Sequence, residues 1–554
     1  MDNRRMILLV IFSFSLFMLW DAWQRFTHPE LYPAHTQAQQ SSAGNSVTPQ
    51  ATTSLRAGES ATEAQVSSAP TEKAQLIAVE TDLYSAEIST QGGDLVRLVL
   101  KKYKSEDKSK NFELIGEQHR YAVQTGLIGE DLPSHKAIFK ANQTSVTLAD
   151  GAASTELRLS TKTPSGHQAT KIYTFKRNSY IVDVKWEILN GSGQAIAPNA
   201  YFQIQRNTTA PEGESVMMST FTGPAIFTDA EKYQKVSFSD VIDNKAKFAK
   251  TASDGWVAMV QHHFVAAWAP QINTEREFFM RKLDKDLVSV GMILPVQKMA
   301  AGEKAELSIP LYVGPQEQAA LSKLAPGLEL VVDYGWLTII AAPIFWALEW
   351  IHKIVGNWGW AIVVLTIAIK LVFFPLSAAS YKSMAKMKAV APRLQHIKEH
   401  FADDKQRLNQ EMMKLYQTEK INPLGGCLPV LIQIPVFIAL YWVLLGAVEM
   451  REAPWAFWIH DLGAADPYYI LPAIMMISMF VQQKLNPTPP DPVQAKVMMA
   501  MPLIFGVMFF FFPSGLVLYW VVNNILSIAQ QWQINKMLEA AKHHHGHAAN
   551  DAKA

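Results

Sequence analysis

A chain of 554 residues with 50 Lys plus Arg against 49 Asp plus Glu has no bulk charge to attract a polyanion, so no specific nucleic-acid sequence is expected as a partner. Its single cysteine, Cys427, excludes a disulfide frame and a cysteine metal site. Apolar residues crowd after residue 336, whereas residues 36–75 are rich in Ser, Thr, Ala, Gln and Glu, which makes the chain part membrane protein, part linker and part soluble domain.

Arg4 and Arg5 precede an uncharged apolar run from Met6 to Trp20. No small-x-small cleavage site follows; Trp20, Trp23 and Arg25 offer interfacial anchors instead. Residues 1–26 therefore read as an uncleaved transmembrane anchor rather than a signal peptide, with the N-terminus in the cytoplasm. Residues 27–75 lack the aromatic and branched apolar side chains of a core and read as a disordered periplasmic linker.

From residue 76 to 325 the pattern changes to short alternating strands with turn signals. Examples are Asp82 to Thr90 before Gly92-Gly93, the Ile172 to Phe175 and Tyr180 to Ile188 pair around Arg177-Asn178, and Ala305 to Val313. This predicts a large all-β sandwich with its core between two sheets.

Within 326–356, the apolar run Trp336 to Leu348 is interrupted by Pro343 and closes in Glu349, His352 and Lys353. It is short for a hydrocarbon core of about 30 Å, which needs about 20 residues, and reads as an interfacial amphipathic helix. The better spans are Trp358 to Leu376, the second span (357–378), then Leu424 to Leu445, Tyr469 to Val481, Val497 to Phe512 and Leu516 to Ala529 within 423–535. The loop after the second span carries nine Lys and Arg against five Asp and Glu, and the next loop one against four. The positive-inside rule places the first loop in the cytoplasm and the second outside. Counting Trp336 to Leu348 as a span would invert both.

The basic loop, 379–422, has its own order. Met384, Met387, Val390, Leu394, Ile397 and Phe401 share one helical face, and Leu408, Met412, Leu415 and Tyr416 give a matching face across the turn Ala402 to Asp404. The loop reads as a helical hairpin whose faces pack together; a second reading lets the flexible side chains of Met384, Met387, Met412 and Met413 adapt to varied apolar client segments.

Lys370 lies inside an apolar span, about 18 Å along the helix from Trp358 and about 9 Å from Leu376 at 1.5 Å per residue, hence in its cytoplasmic half. A Lys at such depth costs roughly 2.5–3.5 kcal/mol on insertion scales unless it faces water, a partner or a polar substrate. Snorkelling to the interface is a second reading. Thr366 lies one turn away on the same face, and Gln433, Asn523, Asn524 and Ser527 put polar groups into other spans, which fits a polar cavity among the helices. Pro429 and Pro435 are expected to kink the third span. His543, His544, His545 and His547 read as a disordered, solvated stretch of the cytoplasmic tail 536–554 rather than a metal site, and His262-His263 as structural. No nucleotide loop, zinc-protease helix or serine-nucleophile elbow accompanies the spans.

Several motifs carry a resemblance: Val331-Val332-Asp333-Tyr334-Gly335-Trp336, Gly356-Asn357-Trp358-Gly359, Asn422-Pro423-Leu424-Gly425-Gly426-Cys427, Asp466-Pro467-Tyr468-Tyr469-Ile470-Leu471-Pro472 and Phe512-Pro513-Ser514-Gly515-Leu516. Over nearly its whole length the chain resembles the YidC-type membrane protein insertases in their long Gram-negative form, relatives of the mitochondrial Oxa-type and chloroplast Albino-type insertases. The resemblance implies a multi-domain protein of the bacterial inner membrane. It would have an α-helical core of five helices plus the N-terminal anchor, a groove open to cytosol and lipid but closed outside, and a periplasmic β-supersandwich linked to mutarotase-like folds.

In that family a groove cation, usually Arg, matches Lys370; Thr366 and Gln433 match groove-lining positions, and Tyr519 and Trp520 match substrate-contact positions. Lys lacks the planar fork of Arg, so charge attraction is retained while bidentate carboxylate capture is lost. Trp520 stands where Tyr is usual, which keeps stacking area and removes a hydroxyl. The implied partners are nascent membrane proteins, the Sec translocon, the ribosome and signal-recognition targeting machinery, and membrane lipids. No cofactor, metal or catalytic residue is expected, since insertion requires no covalent chemistry. Two rival classes are a secondary transporter using the intramembrane lysine, for which paired inverted repeats are lacking, and an envelope enzyme acting through the β domain, which fold likeness alone does not support.

Overall fold

The computed structural model describes residues 74–105, 107–211, 220–401, 404–419, 428–485 and 492–551. The predicted anchor Met6 to Trp20, the linker up to residue 73, the Asn422 to Cys427 motif and the side chains of Met384 and Pro429 lie outside the described residues. The chain divides into two compact units that meet in sequence at Val332 and Asp333.

The first unit is a two-sheet β structure, as the alternation requires. One sheet runs Thr251–Ala252, Arg276–Lys282, Leu287–Pro295, Asn199–Asn207, Ala122–Ile128, Leu95–Lys104, Tyr84–Ser89, Leu76–Glu80 and Ser145–Thr147, with Asn111–Ile115 beside Leu95–Lys104. The other runs Lys232–Lys235, Gly223–Thr228, Trp256–Gln261, Phe264–Trp268, Lys304–Pro315, Ile181–Leu189, Gln168–Lys176, Ser154–Lys162 and Lys140–Ala141. Helices α1 (Phe238–Ile242) and α2 (Gln318–Leu324) are short additions.

Strand Ile181–Leu189 buries Val182, Val184, Trp186 and Ile188 and leaves the residues between them half exposed, the period of two expected of a one-sided strand. These side chains join Phe202, Trp256 and Trp268 in the core. A polar cluster is buried beside them. Lys171 donates to the carbonyls of Gly92 at 2.6 Å and Thr125 at 3.0 Å and lies over the Trp186 ring, while Asp94 accepts from Gln124 at 2.8 Å. The Gly92-Gly93 turn is built from positive φ of 72° and 63°, and a Cβ on Gly92 would come within 2.4 Å of the His135 carbonyl.

The second unit is helical: α3 (Thr338–Val355), α4 (Trp358–Val372), α5 (Phe374–His400), α6 (Lys405–Thr418), α7 (Leu428–Gly446), α8 (Ile470–Leu485), α9 (Pro492–Met508) and α10 (Ser514–Asp551). Its outer surface is apolar: Leu371, Ile477, Leu503, Ile504, Val507, Phe511 and Ile525 are exposed, a surface that suits lipid and not water.

Three boundaries differ from the sequence reading. The span expected from Trp358 to Leu376 breaks at Phe373, and α4 and the start of α5 are bent 61° apart. Pro375 is the physical reason: it has no N–H to donate to Leu371, and its ring would strike that carbonyl in a continued helix. Helix α3 runs on past Leu348 to Val355, and its 18 residues make it the one unbroken helix among the described residues long and apolar enough to cross a membrane. Helix α10 continues past Ala529 to Asp551, so the histidine run is helical in its backbone rather than disordered.

Candidate functional site

Helix α10 gathers the polar groups of the bundle. Asn523, Ser527 and Gln531 recur every four residues and so lie along one stripe; all three are buried, and each meets a different neighbour. From α7, Gln433 Nε2 donates to Asn523 Oδ1 at 2.6 Å. From α4, Lys370 Nζ donates to Ser527 Oγ at 2.7 Å, and the Ser527 hydroxyl in turn donates to the Asn523 carbonyl at 2.7 Å. From α8, Gln482 Nε2 donates to Gln531 Oε1 at 3.1 Å. Asn524, one position off the stripe, donates to Ser478 Oγ of α8 at 3.1 Å.

Lys370 is 8% exposed, and among the described residues no carboxylate lies within 4.0 Å of its ammonium. The break at Phe373 changes its setting. Lys370 occupies the last turn of α4 rather than the middle of a helix, where the partial negative charge of the terminal carbonyls favours a cation. Thr366, on the same face, is 1% exposed, and its hydroxyl donates to the Ile362 carbonyl at 2.7 Å, so its proton is used within its own helix.

Tyr519 and Trp520 lie near the start of α10 in an aromatic cluster. Phe437 of α7 stacks on Tyr519 with centroids 6.2 Å apart and meets Trp520 edge-on at 4.7 Å, and Phe509 meets Trp520 at 5.4 Å. The Trp520 indole N–H is buried with no partner among the described residues. Tyr519, four residues before Asn523, extends the stripe with aromatic surface, and Trp520 lies beside it, four residues before Asn524.

The motif residues close one end of the bundle. Asn357 caps α4 by accepting from Trp360 N at 3.1 Å, and its amide donates to the carbonyls of Pro454 and Trp455 at 3.0 and 3.1 Å. Asp461 accepts from the backbone of Glu452, Gly463 and Ala464. Asp466, 1% exposed, accepts from Trp458 Nε1 at 3.0 Å and from the backbone N–H groups of Tyr468 and Leu471. Ser514 N and Oγ both donate to the Ala464 carbonyl.

In the basic hairpin, Val390 and Leu394 of α5 are buried, Asp404 caps α6, and Arg393 pairs with Glu419 at 2.7 Å. Of the methionines expected to contact clients, Met387 and Met412 are half-buried and Met413 is exposed.

The structure thus brings Lys370, Gln433 and Asn523 into one connected set through Ser527, leaves Asn524 to a separate bond with Ser478, keeps Thr366 beside the set, and puts Tyr519 and Trp520 at its end. Sequence reasoning passed over Ser478, Gln482 and Gln531 and gave Ser527 no role of its own. The four-residue spacings Asn523, Ser527, Gln531 and Ser478, Gln482 were the available signal, obscured by ending the last span at Ala529. Chemically, a single cation and a row of neutral amides and hydroxyls can attract and hydrate a polar or acidic segment. Among the described residues no group of three or more His, Cys, Asp or Glu side chains is placed to hold a metal.

Residues 76–347 match the family model of the YidC periplasmic domain, and residues 350–542 match the 60Kd inner membrane protein family. The chain is 62% identical over 556 residues to the membrane protein insertase YidC of Dechloromonas aromatica, with all of both chains covered. It is 56% identical over 551 residues to that of Aromatoleum aromaticum, covering 98% of this chain and 99% of the relative. A solved structure of an active YidC insertase with its first transmembrane domain resolved aligns over 83% of this chain and 92% of that one, at 16% identity and a TM-score of 0.39.

Proposed function

This chain belongs to the YidC family of membrane protein insertases, and from that premise we propose how its buried polar stripe serves insertion. It is a bacterial inner-membrane protein with a periplasmic domain, and it acts on nascent membrane proteins. Family membership favours insertion over the transporter alternative.

In the proposed mechanism, a short hydrophilic segment of the client enters a groove from the cytosol. It is drawn by the Lys370 charge and hydrated by Gln433, Asn523 and Asn524. Thr366 lines the groove, and Tyr519 and Trp520 offer stacking surface near its closed end. Exchange of bulk water for these groups lowers the barrier to crossing. The apolar segment of the client then partitions along the lipid-facing side. Its burial, about 25 cal/mol per Å2, drives insertion without covalent catalysis. Met387, Met412 and Met413 of the hairpin, with Met384, receive the incoming segment. The observation that carries this reading is the burial of Lys370 with a neutral hydroxyl as its partner.

The remaining assignments rest on charge pattern and resemblance. Both termini are cytoplasmic, and α3 lies at the outer interface because Glu349, His352 and Lys353 occupy its last two turns. The Sec translocon, the ribosome and the signal-recognition machinery deliver or share clients.

The test is insertion of a single-span client with an acidic translocated segment into liposomes holding the parent, Lys370→Ala or Lys370→Arg protein, each first shown folded. Loss with Ala and retention with Arg is the expected result. Equal insertion by parent and Ala would make Lys370 a snorkelling anchor and remove the electrostatic step.

A further inference from the structure

We infer that Ser527 is the positioning residue of the groove cation, an assignment that rests on the groove reading above. Lys370 has three N–H donors and four rotatable carbons, and an ammonium at the end of such a stem would otherwise move toward the nearest water. Ser527 Oγ, 2.7 Å from Nζ, is the acceptor that holds it beneath the surface. The hydroxyl suits the task because its proton is committed to the Asn523 carbonyl at 2.7 Å, which leaves its lone pairs to accept from the ammonium and from the Tyr381 hydroxyl, its other side-chain partner.

The choice of a neutral acceptor matters. A carboxylate at this place would neutralise the cation, and a client's acidic group would have to displace an ion pair. A hydroxyl fixes the position of the charge without cancelling it, so two ammonium donors and the full charge remain for the client. The same stripe ties the held lysine to Gln433 through Asn523, whose Oδ1 accepts from Gln433 at 2.6 Å while its carbonyl accepts from Ser527. Ser527 thereby sets the preference for acidic over neutral translocated segments, not the capacity to insert.

Full-length protein in liposomes is given two single-span clients that differ only in an acidic or neutral translocated segment, and the ratio of their insertion is measured. Ser527→Thr and Ser527→Val fill the same volume and differ in the hydroxyl. Thr should keep the parent ratio, and Val should lower it by about tenfold, the scale of a hydrogen bond to a charged group. Val should lower the ratio no further in a Lys370→Ala background. Ser527→Asp should abolish the preference while the neutral client still inserts. If Val reduces both clients equally, or leaves the ratio unchanged while Lys370→Ala lowers it, Ser527 only packs and the inference falls with the groove reading intact. If Lys370→Ala itself leaves the ratio unchanged, the groove reading falls first.

Discussion

Trp455 lies against the bare Cα of Gly359, so close that a Cβ at Gly359 would come within 2.2 Å of the indole Cδ1. The contact locks the start of α4 onto the loop that follows α7, beside the two hydrogen bonds from Asn357. Gly359→Ala should therefore destabilise the helical unit by about 1–3 kcal/mol, the cost of overpacking a fitted contact. Thermal unfolding in detergent checks it, and Trp455→Ala should recover part of the loss when combined with Gly359→Ala. Equal loss in the single and double variants would place the cost elsewhere.

Asp466 satisfies an indole and two backbone donors while nearly inaccessible. Asp466→Ala strands all three, and at about 1–3 kcal/mol for an unsatisfied buried group it should be among the most damaging single changes in the closed end. Limited proteolysis between Trp455 and Tyr469 reports the effect, and an unchanged cleavage rate would contradict it.

Gln433 and Asn523 join α7 to α10 by one short hydrogen bond between their side-chain amides. Replacing either with Leu leaves the other amide unpaired, whereas Leu at both removes the need. The double variant should be more stable than either single one and still insert an acidic-segment client poorly. A thermal-unfolding double-mutant cycle with near-zero coupling would show that the bond contributes nothing.

In the β domain, burial pushes the Asp94 carboxyl up to about 7 and the Lys171 ammonium down to about 8. For Asp94 the folded value exceeds the unfolded one, so the folded state holds the proton more tightly. Its contribution is fully present below about pH 4 and is lost as pH rises through about 7. His135 acts oppositely: burial takes it down to about 4, so its contribution is present above about 6.5 and is lost on acidification. The sum hides the acid, but comparison with Asp94→Asn exposes it. The parent should lose stability relative to Asp94→Asn as pH rises from 4 to 7, read from urea unfolding at each pH. A pH-independent difference would mean that the carboxyl is not buried in solution.

The β architecture was legible because a strand buried on one face must alternate, and Val182, Val184, Trp186 and Ile188 do. Lys370, Gln433, Asn523 and Asn524 were legible because polar groups are conspicuous in apolar runs. Their connectivity was not, since hydrogen bonds between helices far apart in sequence leave no local trace. Lys370 and Ser527 are 157 positions apart. The break at Phe373 had a signal in Pro375, but hydropathy sums over a window and carries an apolar run straight through a backbone fault. Helix α3 ends at Val355, inside the 326–356 segment read as one helix, but its apolar run was closed at Leu348 for the converse reason: Glu349, His352 and Lys353 look like an end, yet charged side chains at the rim of a helix do not stop its backbone.

The fault at Phe373 also has a mechanical side. Were α4 and α5 one straight rod, any sideways load on the basic hairpin would act through a long lever arm on the turn that carries Lys370. A 61° elbow just beyond that turn takes α5 off the axis of α4, so such a load has no straight path to Lys370, whose ammonium is tied across the bundle to Ser527 of α10.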